Sequence, residues 1–200
     1  FENLILFCAK NKIKLCGTNQ TINFINSSID LTNSYSLFME NFTFSNIKSP
    51  LFRSNNSKMY LKEITFTHIQ SQIMNVKESE IELASCSFIH SIVKNCSMIQ
   101  IIDSDIKFKT CSFYSISQFP QSQEPVVCFN NSQSFFYSCS FIGNYVNKEF
   151  FKLISSTFSF NDVQIHKNGG NFFLKCSNRS NISLNNCEFG ENSCLLFDSF

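Results

Sequence analysis

The sequence predicts an all-β fold, a single-stranded parallel β-helix solenoid with three short strands per coil and about seven to eight coils of 22–28 residues. Three observations carry this expectation. A pattern, φ-x-φ-x-x-φ-x-φ with φ apolar, recurs seven times between residues 35 and 189, and six copies are opened by a Ser two positions ahead. Each copy is followed by a further apolar pair. Alternation with a period of two places the φ side chains on one face of a strand, and no stretch of ten or more residues shows the 3.6-residue period of a helix.

Taken in order, residues 1–33 read as a degenerate N-terminal coil or cap. Ile13 and Leu15 lie 24 residues before Leu37 and Met39, and Ile22/Phe24 and Ile29/Leu31 supply its remaining strands. Residues 34–200 read as the repeats. The first φ set is Leu37, Met39, Phe42 and Phe44. Behind Ser57 come Met59, Leu61, Ile64 and Phe66, and behind Ser79 come Ile81, Leu83, Cys86 and Phe88. Ser104 opens Ile106, Phe108, Cys111 and Phe113, and Ser132 opens Ser134, Phe136, Cys139 and Phe141. Ser156 opens Phe158, Phe160, Val163 and Ile165, and Ser180 opens Ile182, Leu184, Cys187 and Phe189. The third strands start at Leu51-Phe52, Ile73-Met74, Met98-Ile99, Val126-Val127, Phe150-Phe151, Phe172-Phe173 and Leu195-Leu196. Ser199 stands where an eighth copy would begin, and the chain, which opens on Phe1, reads as a piece of a longer solenoid that continues past Phe200.

Stacked coils turn the repeat into columns about 4.8 Å apart. One column is Phe44, Phe66, Phe88, Phe113, Phe141 and Phe189, an aromatic ladder broken only by Ile165. A second contains Cys86, Cys111, Cys139 and Cys187, which read as core thiols. Asn144, Asn168 and Asn192 make a candidate asparagine ladder in which side-chain amides satisfy one another between coils.

Composition narrows the function classes. Sixteen Lys+Arg against fifteen Asp+Glu give a net charge of +1, which argues against nucleic acid as a partner. With 43% hydrophobic and 16% charged residues the chain is too apolar to be disordered. Its longest apolar run, Leu4–Ala9, is too short to span a bilayer. Ten cysteines contain no Cys-x-x-Cys pair, so zinc-ribbon and thioredoxin-like chemistry is not indicated. Disulfides, where present, are expected among Cys8, Cys16, Cys96, Cys128, Cys176 and Cys194, outside the inward column.

These repeats resemble right-handed parallel β-helix proteins of the pectin-lyase-like superfamily. Cys187-Glu188-Phe189-Gly190-Glu191-Asn192 and Cys139-Ser140-Phe141-Ile142-Gly143-Asn144 are similar to the Cys-x-Phe-x-x-Asn core of polymorphic outer-membrane-type and protist surface repeats. Gly169-Gly170-Asn171-Phe172 resembles the Gly-Gly-x-φ that follows in them. The resemblance implies a surface glycoprotein. The polysaccharide lyases and glycosidases of the superfamily work through clustered carboxylates, and their groups Asn-x-Asp, Asp-Asp and Gly-His-Gly are absent here.

The candidate chemistry is therefore sparse. Asp103 and Asp105 are weak metal candidates at one coil corner. His68 and His90, 22 residues apart, fall in neighbouring coils, and His166 stands at a turn. No catalytic residue and no cofactor is assigned. Phe38, Tyr60 and Phe135 point outward and form a candidate contact surface. The longest inserted turn runs from Ser117 to Glu124, with Pro120 and Pro125 bracketing it. Eight Asn-x-Ser/Thr triplets, at Asn19, Asn26, Asn41, Asn55, Asn95, Asn130, Asn178 and Asn181, are glycosylation candidates. The expectation is a non-enzymatic structural or adhesive segment of a larger surface or extracellular protein. Its partners would be other protein chains, further coils of the same chain, or glycans. The alternatives are a scaffold subunit of a large cellular assembly such as a ciliary structure, and a polysaccharide lyase or glycoside hydrolase.

Overall fold

The computed structural model describes residues 5–8, 12–23, 28–33 and 36–199. They form one sheet of 23 strands wound into about seven turns of a parallel β-solenoid, and no helix occurs among them. Lys12–Asn23 and Ser36–Ser45 each run through the first and second strands of a coil. The later first strands are Lys58–Lys62, Glu80–Ala84, Asp105–Lys109, Gln133–Tyr137, Thr157–Asn161 and Asn181–Asn185. Each pairs in parallel with its counterpart one coil away, as in Ile81↔Ile106 and Ile106↔Ser134. The predicted columns are therefore physical stacks. Ile13↔Leu37, Leu15↔Met39 and Ile22↔Phe44 extend them into the N-terminal region. Phe24 and Asn26 lie outside the described residues.

The interior is filled as the period-two reading requires. Phe44, Phe66, Phe88, Phe113 and Phe141 are buried, and successive rings stack at 5.7, 4.9, 4.6 and 4.7 Å. A second short stack, Phe108 on Phe136, has centroids 4.4 Å apart. Phe150 packs edge-on against Phe113 and Phe141 at 6.1 and 5.6 Å. Offset-stacked and edge-to-face pairs both exploit the ring quadrupole, and together they tie the arms of the coil across the core.

Each coil bends at three corners, and each corner uses a residue in the left-handed region. The first corner is Asn41, Glu63, Ser85, Thr110, Ser138, Asp162 and Asn186. The second is Asn46, His68, His90, Ser115, Gly143, Lys167 and Glu191. The third is Asn33, Asn56, Glu78, Asp103, Asn131 and Ser155, closing with Asn178 and Arg179. Asn and Gly suit this conformation, whereas Glu, Thr and Arg adopt it at a cost.

The residue after each corner turns inward, and its backbone N–H leaves the strand ladder. Where the next coil offers a hydroxyl, amide or thiol at the equivalent position, that side chain takes it up. At the third corner the N–H groups of Ser57, Ser79, Ser104, Ser132 and Ser156 donate to the hydroxyl of the following ladder serine at 3.1, 2.9, 3.2, 3.1 and 3.1 Å. Each of those first five hydroxyls donates to the carbonyl two residues back, at 3.0, 2.7, 2.6, 2.7 and 2.8 Å. The serine that opens each repeat is thus a hydrogen-bonded ladder. At the second corner the asparagines form theirs. Asn144 N and Nδ2 both donate to Asn168 Oδ1, at 3.1 and 2.9 Å, and Asn168 repeats this toward Asn192 at 2.9 and 3.0 Å. The left-handed residue is the one before each asparagine, so the amide serves as a buried hydrogen-bonding group and does not itself make the turn.

Three details differ from the sequence reading. In the strand Tyr145–Ile154 one extra residue between Val146 and Glu149 shifts the register. The third-strand column therefore runs Phe151, Leu174, Phe197, one residue later than Phe172-Phe173 and Leu195-Leu196 imply. Gly170 makes room for this shift: a Cβ there would sit 1.7 Å from the Val146 carbonyl oxygen. Ser199 pairs with Cys176, within a third strand, and so is not the opening serine of another copy.

Two substitutions test the corners in opposite directions. Ser104→Ala removes the acceptor for Ser79 N–H inside the core and is expected to cost about 1–3 kcal/mol in urea unfolding. Thr110→Gly, at an exposed left-handed position, relieves the strain of a β-branched residue and is expected to stabilise by about 1 kcal/mol. No loss from Ser104→Ala would contradict the ladder.

Candidate functional site

The residue types that could carry covalent chemistry face inward. Cys86, Cys111 and Cys139 are buried, and their sulfurs copy the serine ladder. Cys111 Sγ donates to the carbonyls of Leu83 and Lys109 at 3.5 and 3.4 Å, while Cys139 Sγ accepts from Cys111 N at 3.4 Å. Hydrogen bonding with Cys139 and Cys86, together with burial, pushes the Cys111 thiol far above its ordinary pKa. Cys187 continues the column half-buried at the last coil. Outside it, burial pushes up the thiols of Cys96, Cys128, Cys176 and Cys194. All eight described cysteines are free, so no disulfide joins Cys96, Cys128, Cys176 and Cys194. The side chains of Cys8 and Cys16 fall outside the described set.

At the third corner a shallow groove of about 630 Å³ runs across the stack. Glu78, Glu80, Asp103 and Asp105 line it beside Lys58 and Gln133. Parallel pairing sets Asp105 against Glu80, so the acids of two coils meet there. Their charge is partly answered: Lys58 Nζ lies 2.6 Å from Glu80 and holds its carboxyl below the usual range, and Asn131 donates to Asp103 at 2.7 Å. Among the described residues no three His, Cys, Asp or Glu side chains converge as metal ligands.

The outward aromatics on the first strands are half-buried. Phe38 stacks on Tyr60 at 5.0 Å, and Phe135 lies beside Tyr137 at 6.4 Å. Ion pairs between coils, Lys62–Glu40 at 2.6 Å and Lys109–Glu82 at 2.7 Å, share this face. The more exposed apolar surface lies elsewhere, around the second corner, on residues outside the repeat pattern. Ile92, Tyr114, Phe119 and Tyr145 are 48, 46, 39 and 59% exposed. The ring of Tyr145 lies against Gly169 of the next coil, where a Cβ would come within 2.9 Å of it. His68 and His90 lie in neighbouring coils with their rings tilted by 38° and centroids 6.2 Å apart, and His90 meets Tyr114 edge-on at 5.7 Å. Lys94 covers the Phe119 ring at 5.8 Å. The insertion next to this edge is ordered by Gln118, whose buried amide accepts from Lys148 N at 2.9 Å and donates to the Glu124 carbonyl. No alternation rule marks these residues, and they do not share one repeat position: Tyr114 precedes its second corner, whereas Ile92 and Tyr145 follow theirs by two residues.

The triplets at Asn55 and Asn130 have an internal cause. Their serines, Ser57 and Ser132, are ladder serines whose hydroxyls bond the carbonyl of the same Asn. Asn178 also precedes a ladder serine, but there Asn178 is itself left-handed and the Ser180 hydroxyl donates to the Ser177 carbonyl at 2.7 Å. Asn55, Asn95, Asn130, Asn178 and Asn181 are exposed and Asn41 is half-buried. Asn19 lies on the strand Lys12–Asn23, where the register shifts between Cys16 and Gln20. No helix among the described residues is long and apolar enough to cross a membrane.

A thiol-labelling experiment reads this geometry. In native protein at neutral pH, Cys86, Cys111 and Cys139 are expected to resist alkylation until the chain unfolds, with Cys187 and Cys194 labelling first. Because burial makes Cys96, Cys128, Cys176 and Cys194 hold their protons more tightly folded than unfolded, stability is expected to fall as pH rises above about 8.5, the ordinary thiol pKa. Rapid labelling of Cys111 in native protein would contradict the buried column.

No family model and no curated protein matches the chain. Among solved structures it is similar to the catalytic domain of a GH87 α-1,3-glucanase in complex with nigerose, at a TM-score of 0.26 and 6% identity, covering 94% of this chain and 62% of that one. It is also similar to PfbA, a surface adhesin of Streptococcus pneumoniae, at 0.21 and 9% over 99% and 84%. A third is HetL, a pentapeptide repeat protein of Nostoc sp. strain PCC 7120, at 0.20 and 11% over 87% of each chain. At scores this low the likenesses carry no argument about function. The parallel strand pairing from coil to coil makes the chain a parallel β-solenoid.

Proposed function

We propose that this chain is a non-enzymatic structural or adhesive segment of a larger surface or extracellular protein, related to the pectin-lyase-like β-helices. One observation carries the reading. Cys86, Cys111 and Cys139 of the inward column are sealed in the core, while an exposed edge, Tyr114, Phe119 and Tyr145 with Ile92, is held on the coils. A stack of this kind presents a fixed surface and supplies no activated nucleophile. Its partners are other protein chains, with glycans as a further class that could use the ring faces.

A second reading, a scaffold subunit inside a large cellular assembly, is favoured by the eight free cysteines, which suit a reducing compartment. Antibodies against the chain separate the two. The surface reading expects staining of intact cells and a glycan-dependent loss of mass on deglycosylation. Staining only after permeabilisation, with no glycan, would replace it by the scaffold reading. Release of reducing or unsaturated sugar from polyuronates or glucans would overturn both in favour of an enzyme.

A further inference from the structure

The asparagine ladder at the second corner contains the one Asn-Gly dipeptide of the sequence, Asn168-Gly169. Two separate demands of the coil put it there. The ladder needs an amide at 168. Its Oδ1 accepts from Asn144 N and Nδ2 at 3.1 and 2.9 Å, and its Nδ2 donates to the Phe141 carbonyl and to Asn192 Oδ1 at 2.9 and 3.0 Å. The Tyr145 ring needs glycine at 169, since a Cβ there would come within 2.9 Å of it. Asn-Gly is the pairing in which asparagine loses its amide most readily. Glycine has no side chain to shield its nitrogen, and its backbone is free to bring that nitrogen against the asparagine side chain. Attack of Gly169 N on Asn168 Cγ forms one C–N bond and expels Nδ2 as ammonia, which leaves a five-membered succinimide. Water then opens the ring, at Cγ to give aspartate or at the main-chain carbonyl to give isoaspartate.

The folded coil blocks each part of this step. Gly169 N donates to the Asn144 carbonyl at 2.8 Å and opens the strand Gly169–Ser177, so it is not free to attack. The ladder bonds anchor both ends of the amide, so Cγ cannot swing toward that nitrogen. Asn168 is buried, which keeps out the water. We propose that Asn168 is a conditional modification site: it is locked while the coils are stacked, it deamidates when this part of the chain opens, and a chain modified there cannot rebuild the ladder. The last clause follows from the acceptor geometry. In aspartate the oxygen that replaces Nδ2 would face the Phe141 carbonyl oxygen and Asn192 Oδ1, two acceptors, and a carboxylate would be buried without a partner for that oxygen. Isoaspartate lengthens the backbone by one carbon and displaces the strand that follows. Asn144 serves the same ladder without this hazard, because the side chain of Tyr145 crowds the nitrogen next to it.

The test compares the 200-residue chain in its native state and unfolded in guanidinium chloride, both held at mildly alkaline pH. Peptide mass spectrometry with isoaspartate detection reads each asparagine. The unfolded chain is expected to convert Asn168 ~tenfold or more faster than Asn144, whereas the native chain keeps the Asn168 amide over the same time. Asn168→Asp, made directly, is expected to lower the thermal midpoint or to prevent folding, while Asn95→Asp, at an exposed bend, leaves the midpoint nearly unchanged. Native conversion at the unfolded rate, an unfolded chain in which Asn168 is no more labile than Asn144, or an Asn168→Asp protein as stable as the Asn95→Asp control would each overturn the proposal.

Discussion

A parallel coil must turn three times in about two dozen residues without a helix or a long loop. Each turn costs left-handed backbone and strands one inward N–H that no strand can accept. The rest of the structure depends on how those N–H groups are met. Where serine follows the corner, one hydroxyl accepts from the coil before it and donates to its own chain two residues back. Where asparagine follows, one amide accepts from the coil before it, donates to a carbonyl of that same coil, and also joins the asparagine of the next coil. Where cysteine follows, the sulfur makes a weaker version of the serine bond. Three residue types with different chemistry thus solve one problem, and the solution fixes the register from coil to coil.

This constraint also decides where function can reside. A cysteine that serves a corner is buried, bonded and inert, so the abundance of thiols says little about redox or nucleophilic chemistry. A serine that serves a corner donates to the carbonyl two residues back, and where that residue is asparagine, as at Asn55 and Asn130, the coil spells Asn-x-Ser. Part of the glycosylation signal is therefore a consequence of the coil itself. What the coil leaves free is its outer surface, and there the second-corner edge and the acidic groove at the third corner are separate features with different chemistry.

The fold was legible because its signal is periodic. The alternation that places Phe66, Phe88 and Phe113 in one column is legible from the repeated pattern even though the step between copies changes from 22 to 25 residues. The proximity of His68 to His90 and the amide ladder through Asn144 and Asn168 followed from the same arithmetic. Four things were not legible. The role of Ser57, Ser79 and Ser104 was hidden, because serine before a strand reads as an ordinary turn residue. Glu63, Thr110 and Arg179 have no intrinsic preference for left-handed backbone and are placed there by the stack. The extra residue in Tyr145–Ile154 displaced Phe172 and Leu195 by one position, since periodicity alone cannot show which side of a bulge a phenylalanine pair belongs to. The exposed edge of Ile92, Tyr114 and Tyr145 escaped notice for the converse reason: it lies between the patterned positions, where the repeat makes no demand.

The central claim, that side-chain ladders at the corners hold consecutive coils in register, is tested most directly by native-state hydrogen exchange. The amides of Ser79, Ser104, Ser132, Asn144 and Asn168 sit at corners, where an unbonded N–H would exchange like a loop. The account predicts that they exchange as slowly as the amides of the adjoining strands, and that all open together. Fast exchange at these five amides beside slow exchange in the strands would contradict it.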